Sequence, residues 1–415
     1  MGINLSQFLQ IRLLICMKIT PAKRTEKVTY AIRDVVVEAT KLEKQGKKIL
    51  HLNIGDPNVF DFQTPKHMIE AVNKAMHENK SNYANSMGVP EAREAIAREQ
   101  EKFGIKDVTT DDILVTTGVS EGIELALNAL VNPGENILTP IPTYPVYLAV
   151  VHKIVATPNQ YLTNEENSWQ PDLDDIRKRI NDKTRGIVLI NPNNPTGSMY
   201  DKETLEEVID LANEHDLVIF TDEIYNKILF DGEKHTPLAS LTNEIPIVTF
   251  NGLSKNYICP GWRVGWMVFT GPKNEIAEYK EAVFKMARAR LSAPGPFQYA
   301  IKPALEGSQD HIEDMNRRLQ ERRDLLNKRL NEIEGFSCVK PKGAFYAFPK
   351  FDLGVKDDKK FVMDLLYQKQ ILAVFGTGFG YPKPDHMRIV FLPPIETLEE
   401  SFNKLEEYVK ENYKK

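Results

Sequence analysis

Five short, almost wholly apolar runs mark the middle of this chain, and most have an amphipathic stretch near them. They are DILVTTG (112–118), GIVLINP (186–192), LVIFTDE (217–223), IPIVTFNG (245–252) and RVGWMVF (263–269). A strand that is apolar along its whole length must be covered on both faces, and crossover helices supply that cover. Two intervening stretches read as such helices. EGIELALNALV (121–131) stops at Asn132-Pro133-Gly134, and KETLEEVIDLANEH (202–215) gathers Leu205, Val208, Ile209 and Ala212 on one side. The expected fold class is α/β, with a mostly parallel sheet flanked by helices.

The pattern changes after about residue 300. A long charged helix (309–333) is followed by AFYAFP (344–349), ILAVFG (371–376) and HMRIVFL (386–392), and TLEESFNKLEEYVKENY closes the sequence as an amphipathic helix. We expect a smaller α+β domain here. At 415 residues the chain has room for two domains. The division expected is an extension at 1–16, an N-terminal arm or part of the small domain at 17–62, a large domain at 63–305 and the small domain at 306–415. The apolar run in MGINLSQFLQIRLLIC is broken by Arg12 and is too short to span a bilayer. It lacks the cleavage pattern of a signal peptide. MGINLS fits the N-myristoylation pattern, and Met17 is a second plausible start. The expectation is a solvated or poorly ordered extension.

Composition narrows the function classes. A net charge of −5 with interspersed signs argues against nucleic-acid or membrane partners. The densest basic run, RRLQERRDLLNKR (317–329), is diluted by Glu321 and Asp324 and reads as a solvated helix face. The three cysteines, Cys16, Cys259 and Cys338, are far apart, which points to a reducing compartment and a cytoplasmic location. Eight histidines are scattered without HExxH, so no metal site is expected.

Ligands of α/β sheets collect beyond the carboxyl ends of the strands. Gly118-Val119-Ser120 follows the first run: a tight turn into a helix N-terminus, whose free N–H groups and dipole suit a phosphate. Ser120 can serve as a plain helix cap or offer its hydroxyl. After GIVLI comes NPNNPTG, where prolines stiffen the loop and fix the direction of Asn194. Asp222 ends LVIFT and needs a cationic partner if buried, with Tyr225 three residues on. Lys255 follows TFNGLS, and Arg263 lies eight positions later. A phosphate cradle, a rigid amide, a carboxylate, a phenol and a lone amine together suit pyridoxal 5′-phosphate. The lysine would form a Schiff base with its aldehyde, the carboxylate would keep its ring nitrogen protonated, and the amide and phenol would hold its phenolic oxygen.

NPNNPTG, DEIY and SKNYICPGWRVG, in this order and spacing, resemble the class I/II aminotransferases, the fold type I pyridoxal-phosphate enzymes, from about residue 20 to the end. The resemblance implies a seven-stranded sheet in the large domain, a homodimer, and small-molecule amino-acid and 2-oxo-acid substrates. It implies that Lys255, Asp222, Tyr225 and Tyr144 form the catalytic set. Gly118, Val119, Ser120, Asn194, Ser254, Arg263 and, across the subunit boundary, Tyr83 would join them around the cofactor. LNIGDP contributes Gly55 to the substrate site, with Asn194 and with Arg388, which clamps the substrate carboxylate. The amine of Lys255 would be depressed by nearby cationic and cofactor groups and would act as the base at the substrate Cα. Many relatives carry a serine three residues before the lysine; here that position is Gly252.

LNIGDPNVFDFQTP, SWQPDLDDI, NGLSK and FLPPIETLEE resemble the alanine aminotransferase branch, with 2-oxoglutarate as acceptor. Arg288 and Arg290 are candidates for a second carboxylate, because related enzymes donate such an arginine from the neighbouring subunit, set against a solvated helix end or a subunit salt bridge. Aspartate, aromatic or branched-chain transamination, and a C–S lyase or decarboxylase on the same cofactor, stay open. A non-catalytic regulatory protein is disfavoured because Lys255 and Asp222 are both present. GTGFG (376–380) looks like a dinucleotide motif, but Pro382 and Pro384 follow it, so a tight turn is the better reading.

Overall fold

The computed structural model describes residues 19–28 and 31–413. The 1–16 extension, with Cys16 and the MGINLS pattern, and Met17 lie outside the described residues. Strand β1 (Leu50–His51) belongs to the arm. The large sheet is built from β2 (Ile113–Thr116), β3 (Asn136–Ile141), β4 (Thr157–Asn164), β5 (Gln170–Pro171), β6 (Thr184–Ile190), β7 (Val218–Asp222), β8 (Ile247–Gly252) and β9 (Gly265–Thr270). Their spatial order is β2-β9-β8-β7-β6-β3-β4-β5.

The sheet therefore has eight strands where seven were expected. Seven are of ordinary length, and β5 is a two-residue antiparallel edge strand ending in Pro171. A proline that cannot donate to a ladder is tolerated at such an edge. β3 and β4 were not among the apolar runs. β3 is buried throughout but carries Pro140, and β4, paired on one side by only two residues of β5, is largely polar and half exposed. β3, β4, β6, β7 and β8 are mutually parallel, and β9 runs antiparallel to β8 and β2. That reversal matters for the site. Gly265, the first residue of β9, pairs with Gly252 and Thr116, the last residues of β8 and β2. The chain just before β9 thus opens onto the same edge as the carboxyl ends of its neighbours.

Helices cover both faces. Val119–Leu130 buries Gly122, Ile123, Ala126 and Leu127, and Lys202–Glu214 buries Leu205, Val208, Ile209 and Ala212, the side its spacing predicted, together with Leu211. Within the sheet, Phe220 and Phe250 stack 6.2 Å apart.

The remaining strands are β10 (Phe336–Ser337), β11 (Tyr346–Ala347), β12 (Lys350–Phe351), β13 (Ile371–Leu372), β14 (Val374–Phe375) and β15 (Met387–Val390). β11, β15 and β14 form an antiparallel three-stranded sheet, and β1 pairs in parallel with β13. The arm thus shares a core with the C-terminal elements. The Ala31–Lys44 helix adds Ala31, Ile32, Val35, Ala39 and Leu42 to the cluster that holds Leu326, Phe361 and Phe402.

GTGFG forms a single 3-10 turn, Gly376–Phe379, closed by Gly380 at φ +77°. It is the tight turn read from the sequence, with no helix on which to seat a dinucleotide. Gly378 packs under the arm: a Cβ there would lie 2.3 Å from the Cβ of Ala31. The basic run departs from its reading. The Asp310–Glu332 helix is not solvated all round, because Arg322 and Arg323 are buried. Arg323 grips Asp231 through both terminal nitrogens at 2.9 and 2.8 Å, and Arg322 reaches Asp61 at 2.6 Å. Charge density alone gave no sign of those two distant carboxylates.

Candidate active site

A cavity of about 650 Å³ opens at the carboxyl edge of the large sheet, between that edge and the arm with its C-terminal partners. Gly55, Val119, Ser120, Tyr144, Asn194, Asp222, Tyr225, Ser254, Lys255, Arg263 and Arg388 all line it. Gly118 stands directly behind Arg263.

The phosphate-like corner is built by close backbone approach. Gly118 has φ +74° and ψ 166°, a region open essentially to glycine, and it precedes the first helical residue, Val119. A Cβ on Gly118 would lie 2.3 Å from Nη2 of Arg263, and one on Gly265 would lie 2.6 Å from the Val119 nitrogen. Helix start and guanidinium are thereby pressed together. Ser120 is not the cap: Gly118 occupies that place, and Glu121 accepts the Thr117 N–H at 2.7 Å instead. Ser120 keeps its hydroxyl at the cavity wall. Gly252 has no room for a side chain either, since a Cβ would sit 2.7 Å from the Val264 carbonyl oxygen. Ser254 is the hydroxyl that this loop presents to the cavity.

Asp222, at the end of β7, is 3 % exposed. Its carboxylate accepts from Tyr147 Oη at 3.1 Å and from the Ile224 N–H at 3.3 Å. Burial nevertheless dominates and pushes its pKa up to about 6, against the pull of those two bonds. Tyr147, fully buried in the Pro145–Lys153 helix, was missed by the sequence reading. It lies three residues after Tyr144, the only tyrosine of this stretch that the resemblance singles out, and its contact to β7 spans 75 residues.

Lys255 points its amine into the cavity, donating to the Gly55 carbonyl at 2.7 Å and lying 5.7 Å from the Phe345 ring. Its pKa is brought down to about 8. Nearby cations were the expected cause, but desolvation is the larger one. Arg388 and Arg263 add to it, and Asp56 and Asp222 oppose it. Tyr225 pairs its hydroxyl with that of Tyr346 at 2.9 Å, and burial drives its pKa upward. Tyr346 is a second residue the sequence reading left out, although it lies in the quoted AFYAFP.

Arg388 is 1 % exposed. It bonds the Asn53 carbonyl and donates to Asn194 Oδ1 at 3.2 Å, with the Tyr346 and Phe379 rings 4.7 and 4.9 Å away. The Asn194 oxygen is thus taken by the arginine, so the amide nitrogen is the donor left to it. The NPNNPTG loop owes its rigidity to side chains as well as prolines: Asn193 Oδ1 accepts from Thr196 Oγ1 at 3.0 Å, and Asn191 Oδ1 from the Tyr200 N–H at 3.1 Å.

Tyr83, Arg288 and Arg290, each expected to act across a subunit boundary, do not line this chain's own cavity. Tyr83 is 79 % exposed. Arg288 forms a surface ion pair with Glu281 at 2.5 Å. Arg290 is spent on structure, reaching Glu121 at 3.1 Å and the Val115 and Ser86 carbonyls at 2.8 and 3.2 Å. Among the described residues no group of three or more His, Cys, Asp or Glu side chains could hold a metal, and no helix is long and apolar enough to cross a membrane.

Comparison with known proteins gives a consistent result. The family model for aminotransferase class I and II matches residues 47–405. The glutamate-pyruvate aminotransferase AlaA of Escherichia coli K12 is 44 % identical over 397 residues, covering 94 % of this chain and 98 % of that protein. The alanine aminotransferase of Mycobacterium tuberculosis H37Rv is 42 % identical over 390 residues, covering 92 % of this chain and 90 % of that protein. Among solved structures, an alanine aminotransferase from Pyrococcus furiosus superposes with a TM-score of 0.92 at 47 % identity, covering 95 % of this chain and all of that one (100 %).

Proposed function

The chain belongs to the class I and II aminotransferases, and from that premise we propose that it is an alanine aminotransferase, exchanging an amino group between alanine and 2-oxoglutarate. The substrate pair rests on the relatives named for alanine, glutamate and pyruvate at 42–44 % identity over nearly the whole chain. The family's cofactor is pyridoxal 5′-phosphate, and the cavity fits it. A glycine cradle meets a helix start and an arginine at one end, and a buried carboxylate and an amine with a pKa near 8 stand at the other walls. Bound there, the cofactor supplies an aldehyde for the amine and an electron sink for the bonds at the substrate Cα.

The roles follow from what each side chain can do. The N–H groups of Val119 and Ser120, with Arg263 and the Ser254 hydroxyl, would hold the phosphate. Asp222, whose buried charge is otherwise costly, would pair with the ring nitrogen, and Tyr147 and the Ile224 N–H keep its carboxylate aimed. The Asn194 amide and Tyr225 would take the phenolic oxygen, and Tyr144 would lie against the ring. Arg388 would grip the substrate carboxylate, with Asn194 and the Gly55 backbone beside it. Lys255 gives up its proton near neutral pH, so it can both join the aldehyde and take the proton from the substrate Cα. We further read the chain as two lobes, 63–305 and 306–415, with the arm at 17–62 riding on the second. Tyr83 would serve a partner subunit's cavity in a homodimer, and the low cysteine count suits the cytoplasm.

The decisive test is the visible spectrum of the purified protein with added pyridoxal phosphate, with Lys255→Ala beside it. A yellow band that L-alanine bleaches and a 2-oxo acid restores, absent from the variant, is the expected result. Bleaching by aspartate or an aromatic amino acid but not by alanine would refute the substrate. Bleaching with release of ammonia would refute the transaminase reading in favour of a lyase.

A further inference from the structure

A transaminase for glutamate and alanine must accept a side chain that ends in a carboxylate and one that ends in a methyl group. Arg388 accounts for the carboxylate common to both. Arg288 and Arg290, the arginines expected to reach a neighbouring subunit's second carboxylate, do not line this chain's own cavity: Arg290 is tied to Glu121 and two carbonyls, and Arg288 to Glu281. Among the described residues, the charged side chains that line it are Asp56, Asp222, Lys255, Arg263, Arg388 and Arg33. Asp56 caps the turn Pro57–Val59, accepting the Asn58 N–H at 3.0 Å. Arg33 has no use in the reading above. It stands exposed in the first turn of the Ala31–Lys44 helix, and its guanidinium makes no hydrogen bond or ion pair to any described residue.

We infer that Arg33 is the cation that receives the distal carboxylate of glutamate and 2-oxoglutarate, an inference that rests on the alanine–2-oxoglutarate reading. Its exposure explains how one cavity serves both substrates. A buried arginine with no carboxylate opposite it would carry a desolvation penalty whenever alanine was bound. One at the mouth stays hydrated beside a methyl group and closes on a carboxylate when one arrives. The placement is built into the fold. Ala31, Ile32 and Val35 are buried in the core cluster that includes Val374, Phe375 and Phe379, and Gly378 lets the 376–380 turn come up against Ala31. The glycine-rich turn thereby holds the helix start over the cavity, with Ile32 and Arg33 in its wall.

The test compares the holoenzyme with Arg33→Gln and Arg33→Lys, reading each half-reaction separately. Glutarate and valerate serve as unreactive five-carbon inhibitors with two carboxylates and one. In Arg33→Gln, kcat/KM for glutamate and 2-oxoglutarate should fall about 10- to 100-fold, mainly through KM, the range expected for a lost charge-assisted bond. Alanine and pyruvate should change by less than about threefold, as for a nearby exposed charge. Glutarate inhibition should weaken by the same factor as glutamate, valerate inhibition should hold, and Arg33→Lys should recover part of the loss. Equal losses for alanine and glutamate, or unchanged glutarate inhibition, would overturn the inference. A wild-type enzyme inert toward alanine would sink the substrate reading instead, and the glutarate comparison would still decide the role of Arg33.

Discussion

Asp222→Asn should make the cofactor-free protein more stable at neutral pH. The carboxylate is buried, and its pKa in the fold is about 6 against an ordinary 3.8. Between those values the native state binds a proton that the unfolded chain has released, so stability falls as pH rises through that window. Linkage puts the penalty of the ionised group at about 0.5 kcal/mol at pH 4 and about 3 kcal/mol at pH 7.5. Asparagine removes it. The amide has one acceptor oxygen where the carboxylate has two, so either Tyr147 Oη or the Ile224 N–H loses its partner, at a cost of about 1 kcal/mol. The variant should therefore be roughly even with the parent, or slightly weaker, at pH 4 and about 2 kcal/mol more stable at pH 7.5. Urea unfolding of both proteins, stripped of cofactor, at several pH values between 4 and 7.5 reads this directly. A stability difference that does not grow with pH, or that grows in favour of aspartate, would refute the burial argument. The same variant should lose transamination, because the charge that strains the empty cavity is the one assigned to the ring nitrogen.

Gly118→Ala places a side chain at φ +74°, ψ 166°, and against Arg263 Nη2. The backbone cost is about 1–3 kcal/mol, so cofactor retention on dialysis should weaken by about 10- to 100-fold, and retention equal to the parent would refute the cradle. Arg388→Lys keeps the charge and loses the two-pronged grip, so kcat/KM should fall about 100-fold for every amino-acid substrate alike. A loss confined to glutamate would show that Arg388 is not the clamp for the shared carboxylate.

The residues legible in the sequence were those whose role is announced by their position after a strand. Gly118, Asn194, Asp222 and Lys255 each follow an apolar run, and the parallel sheet carries them all to one edge. Arg263 was legible as a neighbour of Lys255, but its place depends on β9 running backwards, which no local pattern marks. Tyr147 and Tyr346 were hidden for a different reason. Each has apolar residues on both sides of it in the sequence, and only packing across 75 and 121 residues turns one phenol toward Asp222 and the other toward Tyr225. Arg322 and Arg323 were misread because a charged helix looks solvated until distant carboxylates are folded onto it.

Arg33 escaped notice because it belongs to no strand end at all. It comes from the arm, whose packing partners lie more than 300 residues away in β13, β14 and the 376–380 turn. The same distance separates the two ways the cavity recognises charge. The groups assigned to the cofactor stand on the large sheet, where burial shifts the pKa of Asp222 and of Lys255 toward neutrality. The groups assigned to the substrate, Arg388 and Arg33, stand on the other body, together with the Gly55 carbonyl that holds the Lys255 amine. The Lys255 amine therefore feels both parts of the chain: the sheet edge buries it, while Gly55, Asp56 and Arg388 bring a hydrogen bond and charges to it from the other side of the cavity. A change at Arg33, which is not among the groups that shift Asp222 or Lys255, can alter which amino acid is accepted, whereas a change at Gly55 or Asp56 would reach the amine as well.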